Sequence, residues 1–117
     1  MRDPDDYVGV DFPPMVIGNK APVEFNFDRN LAPSDTLQLS IVPTWTIWVI
    51  AGADPAPSSR IIGSATIDDE TATKTQQLLD FTGLTVGAYY GLRASVATVL
   101  GYRLSLSSRM RVEAPTP

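Results

Sequence analysis

From residue 23 onward, apolar and polar side chains alternate with a period of two, the spacing that sorts a strand's side chains onto opposite faces. Val23, Phe25 and Phe27 alternate with Glu24 and Asn26 and predict a first strand, followed by the turn segment DRNLAPSD. Leu37, Leu39 and Ile41 alternate with Gln38 and Ser40 and predict a second strand, ended by Pro43. In TWTIWVI, Trp45, Ile47 and Val49 share one face, while Thr44, Thr46, Trp48 and Ile50 share the other. After the loop AGADPAPSS, RIIGSATI reads as a short strand weakened by Gly63, and DDETAT as a polar turn. KTQQLLDF has some helical character, but eight residues are too few for a stable isolated helix and strands surround it, so it is assigned as a strand.

The last third shows the clearest pattern. Tyr90, Leu92, Ala94 and Val96 point one way and Tyr89, Arg93 and Ser95 the other; a turn follows near Val99, Leu100 and Gly101. Then Leu104, Leu106, Met110 and Val112 alternate with Arg103, Ser105, Ser107, Arg109 and Arg111. One face is oily and the other cationic, as expected of a half-buried antiparallel hairpin. Trp45, Leu92, Leu104 and Leu106 are the expected core.

These strands predict an all-β chain. Seven or so short strands with a tryptophan in the third suggest an immunoglobulin-like antiparallel β-sandwich over residues 23–112. Gly87 followed by Tyr89 resembles the tyrosine corner of that architecture, in which a tyrosine hydroxyl ties back to a loop. Residues 1–22 read as an extended N-terminal arm, because Pro4, Pro13, Pro14 and Pro22 bar a helix or a central strand. Tyr7, Phe12, Met15 and Ile17 make it too apolar for a free tail. It serves either as an edge strand on its own domain or as a clasp on a neighbouring chain. Residues 113–117 form a short proline-rich tail.

Composition narrows the chemistry. The 117 residues include no cysteine and no histidine, which removes disulfides, thiolate nucleophiles, cysteine-based zinc sites and the commonest general base. The acidic groups Asp3, Asp5, Asp6, Asp11 and Asp68, Asp69, Glu70 are weighed as glycosidase carboxylates or calcium ligands; turn-making and solubility account for them better. No enzyme activity and no cofactor is expected. The longest apolar run is about half of what a membrane-spanning helix needs, and no targeting segment is evident. Charge is uneven. Residues 1–80 hold 5 basic and 12 acidic side chains, net −7, whereas residues 81–117 hold Arg93, Arg103, Arg109 and Arg111 against Glu113, net +3. Four arginines beside an acidic remainder make a poor duplex binder, so no nucleic-acid partner is expected.

Two groups of residues stand out as candidate protein contacts. Trp48 and Ile50 fall on the face opposite Trp45, where either the arm or another chain would cover them. Arg93, Arg103, Arg109 and Arg111 share one sheet surface, either as a solvated cationic face or as a site for an acidic neighbour.

The runs FNFDRNLAPSDTLQLSIVPTWTI and GLTVGAYYGLRASVATVLGYRLSLSSRMRV resemble a family of small immunoglobulin-like proteins of tailed-bacteriophage virions. The matching positions are Phe27, Asp28, Leu31, Asp35, Thr36, Leu37, Trp45, Gly87, Tyr90, Gly101 and Val112. That resemblance implies a structural component of the virion, assembled in the host cytoplasm, at the head–tail neck as connector, collar or fibre adaptor, or decorating the capsid. Its partners would be other virion proteins and copies of itself in a symmetric homo-oligomer. The alternative is an adhesion or carbohydrate-binding module of immunoglobulin or fibronectin type.

Overall fold

A computed structural model describes residues 12–82 and 87–113. The described chain is all-β, with two sheets packed face to face as a sandwich. Its strands are β1 (Met15–Val16), β2 (Lys20–Asn26), β3 (Thr44–Gly52), β4 (Ile61–Ile67), β5 (Lys74–Asp80), β6 (Ala88–Ala97) and β7 (Arg103–Glu113). One sheet has the order β1-β7-β6-β3 and the other β2-β5-β4. All neighbours are antiparallel except β1 and β7, which run parallel with Met15 opposite Val112.

The period-two pattern sets the core. Trp45 and Ile47 of β3 and Tyr90, Leu92, Ala94 and Val96 of β6 face inward, against Phe25 of β2 and Leu79 of β5. Phe12, Phe25 and Trp45 stack in sequence, with centroid spacings of 5.1 and 5.0 Å. The Trp45 Nε1–H donates to Thr75 Oγ1 across the two sheets at 3.1 Å, so the largest core ring buries no unpaired donor. Within KTQQLLDF, Lys74–Asp80 form the strand β5, as the surroundings predicted, and Phe81 follows it. Gly63 lies in an irregular stretch of β4 at φ 71°, and the Gln77 side-chain amide donates to the Ile62 carbonyl there at 2.9 Å. A glycine relaxes the backbone, and a buried amide satisfies a carbonyl that the ladder leaves open.

Three expectations are corrected. The segment Leu37–Ile41 is not a strand. Only Leu37 pairs, in a single bridge to Thr98, and the chain then turns back through Ile41 N–H to the Gln38 carbonyl. Leu37 is buried while Leu39 and Ile41 are exposed, so the alternation there does not reflect one packed face. Leu104 and Leu106 are half-buried rather than core residues, because β1 covers only the far end of β7. The tyrosine that ties back to a loop is Tyr90, not Tyr89: its inward-facing hydroxyl reaches the Asp54 carboxylate, whereas Tyr89 lies on the outer face.

The stretch read as an arm divides. Residues 1–11, including Tyr7, lie outside the described residues. Phe12, Met15 and Ile17 pack against this chain's own core, and the Phe12 amide donates to the Arg109 carbonyl at 2.9 Å. Lys20–Pro22 open β2, an edge strand on which a proline is tolerated.

Candidate interaction surface

The outer face of the β1-β7-β6-β3 sheet carries most of the residues singled out above. Register arranges them in rows. Arg111 stands opposite Tyr89, Arg109 opposite Gly91, and Arg93 opposite Ser107. On the other side of β6, Trp48 is opposite Gly91 and Thr46 opposite Arg93. Arg109, Gly91 and Trp48 therefore form one row across three strands, with Arg111 and Tyr89 in the next.

The aromatic rings determine how cations gather here. The guanidinium carbons of Arg109 and Arg111 lie 5.9 and 5.5 Å from the Tyr89 ring centroid. Attraction to the ring's negative face offsets part of the repulsion between two like charges sharing it. Trp48 lies flat over Gly91: a Cβ at Gly91 would stand 2.3 Å from Trp48 Cε2. Glycine inside a strand lets the indole settle onto the backbone, leaving Trp48 39% exposed beside Ile50 at 44%. Ile50 falls at the point where β3 shifts register between Val49 and Ala51.

Three of the four arginines share this region. Arg103 does not. It sits opposite Ala97 at the hairpin end, eight residues along β7 from Arg111, on the order of 27 Å at strand rise. The single row between Arg103 and Arg93 is neutral, with Ser95 and Ser105 joined through their hydroxyls at 2.7 Å.

Directly behind the patch, a buried polar cluster holds the β3–β4 loop. Asp54 accepts from Arg60 Nε at 2.9 Å and Nη2 at 3.2 Å, from the Ala56 amide at 3.0 Å, and from Tyr90 Oη at 2.6 Å. The Arg60 pairing outweighs burial and, with Tyr90 and Ala56, lowers the Asp54 pKa to about 2. Burial, reinforced by the neighbouring carboxylate, pushes the Tyr90 phenol well above its usual range. Tyr90 thus stays a neutral donor, and the loop following the patch strand is anchored to β6.

Gly91 and this cluster were missed in the sequence, and Tyr89 was assigned to the tyrosine corner rather than to the patch. A glycine within an otherwise bulky strand was the signal for Gly91. Asp54 and Tyr90 are 36 residues apart and carried no local signal. Acidic turn residues hold their own backbone: Asp68 accepts from the Glu70 amide at 3.0 Å and from the Thr71 hydroxyl. Among the described residues, no three metal-ligating side chains converge and no helix is long and apolar enough to cross a membrane.

Comparison with protein-family models, curated proteins and solved structures returned no match.

Proposed function

We propose that this chain is a non-enzymatic structural component of a tailed-phage virion, binding neighbouring virion proteins at the head–tail neck or on the capsid surface. The observation that carries a binding role is the outer-face patch of Trp48, Tyr89, Arg93, Arg109 and Arg111. Tryptophan, tyrosine and arginine are the residues most enriched where binding energy concentrates in interfaces. The strand order supports an immunoglobulin-like sandwich. β2, β5 and β4 match strands B, E and D of that architecture; β3, β6 and β7 match C, F and G, with Trp45 on strand C. The partner has an acidic surface, since arginine pairs carboxylates bidentately.

The test is attachment to purified particles across a salt series, with the copy number counted by mass spectrometry. Wild-type chain is expected at a symmetric multiple per particle, released progressively as salt screens the contact over about 10 Å at 0.1 M. Joint Arg109→Glu and Arg111→Glu substitution is expected to weaken attachment sharply at low salt without unfolding the domain. Indifference to both salt and charge reversal would reject the patch as the contact. Exposed Trp48, beside half-buried Tyr89, favours one second reading, a carbohydrate-binding module stacking sugar rings, for which retention on an oligosaccharide column is the discriminating result.

A further inference from the structure

The outer-face patch lies beside the point where an acidic segment of the same chain joins the described residues. Residues 1–11 hold Asp3, Asp5, Asp6 and Asp11 against Arg2 alone, net −3. The next residue, Phe12, is fixed at the sheet edge. Its N–H donates to the Arg109 carbonyl at 2.9 Å, and its ring packs on Phe25 at 5.1 Å between centroids. The acidic segment is therefore tethered at the backbone of one of the patch arginines.

Reach agrees with this placement. β1 neighbours β7, and the row Arg109, Gly91, Trp48 crosses β7, β6 and β3. Strands lie about 4.8 Å apart, so Trp48 stands about 14 Å from the edge where Phe12 is held. Eleven residues extend to at most about 38 Å, which brings every patch arginine within range of the segment's carboxylates.

Charge identifies the occupant. Arg93, Arg109 and Arg111 keep the face positive even with Glu113 at its margin. Other carboxylates are committed elsewhere: Asp54 pairs with Arg60, and Asp68 and Asp80 hold amides of their own turns. Tethering decides between this segment and the same segment of another copy. A short flexible tether holds its end at an effective concentration on the order of millimolar, well above a second chain present at micromolar level. We propose that residues 1–11 are a built-in competitor for the arginine patch of their own chain, which an acidic partner must displace in order to bind. This rests on the reading of the patch as a site for an acidic surface and adds a threshold to it.

The test uses the full chain and fluorescein-labelled hexaglutamate as acidic probe, followed by anisotropy at low salt. Asp3→Asn, Asp5→Asn, Asp6→Asn and Asp11→Asn together are expected to tighten probe binding about tenfold, the relief from a millimolar competitor with a dissociation constant of about 0.1 mM. Glu24→Gln, Asp28→Asn, Asp69→Asn and Glu70→Gln, all at exposed positions, change net charge equally and are expected to alter binding less than about twofold, since distant charges are screened. A nitroxide on Pro4→Cys, then the chain's only thiol, is expected to broaden the Trp48 indole N–H resonance at low salt, and excess unlabelled chain should not change this. Equal affinity of the wild type and the four-asparagine chain, or an equal gain from the control set, overturns the proposal while leaving the patch an acid-binding site. Absent broadening overturns it too, as does broadening that unlabelled chain removes, which would assign the contact to a neighbouring copy. Failure of the probe to bind any of these chains would reject the patch itself, and the competitor with it.

Discussion

At the residue scale, the Asp54 carboxylate is the most committed group in the fold. It accepts from both the buried Tyr90 hydroxyl and the Arg60 guanidinium, so its loss removes a partner from each. Asp54→Ala is expected to cost about 2–3 kcal/mol, whereas Tyr90→Phe, which leaves the ion pair intact, costs about 1 kcal/mol. The pH dependence follows in sign. A carboxylate held at about 2 in the fold and near 3.9 when unfolded contributes fully above the unfolded value. That contribution is lost as pH falls from about 4 toward 2. Urea denaturation at pH 7 and pH 3 checks this: the gap between wild type and Asp54→Asn should narrow in acid. A constant gap would show that the carboxylate's charge is not what stabilises the loop.

At the element scale, β7 illustrates both how far the sequence could be read and where it stopped. Its alternation placed Leu104, Leu106, Met110 and Val112 on one face and Arg103, Arg109 and Arg111 on the other, because period two depends only on the strand itself. Depth does not. Met110 and Val112 are buried and Leu104 and Leu106 are only half-buried, although all four belong to the same apolar stripe. The difference comes from β1, two residues pairing with Val112 and Glu113, a partner without its own periodic signal. Met110→Ala is accordingly expected to cost about 2–5 kcal/mol, and Leu104→Ala about half as much. Equal losses in denaturant titrations would contradict the gradient. The false second strand has the same origin in reverse. Leu37, Leu39 and Ile41 imitate a strand locally, but no neighbour beyond Thr98 offers them a ladder. The arginines were placed on one face correctly, yet their division into three and one depended on cross-strand register, which alternation alone does not fix.

At the scale of the whole molecule, the parallel pairing of Met15 with Val112 has a consequence in time rather than in space. The two residues are separated by nearly the entire described chain, so the outermost pairing of the larger sheet joins its earliest residues to its latest. During synthesis, Met15 and Val16 have no strand to pair with until β7 has left the ribosome. The β3–β6 ladder comparably awaits a strand more than forty residues downstream. Contacts this distant must close long loops before they return any stabilisation, which places folding in the millisecond-to-second range rather than the microseconds of helical bundles. Stopped-flow refolding should show that slow phase, and chains truncated before Arg103 should remain unfolded. Throughout that interval the apolar stripe of β3 is exposed on a nascent chain, so the last eleven residues of strand decide when the newly made protein stops being a target for aggregation.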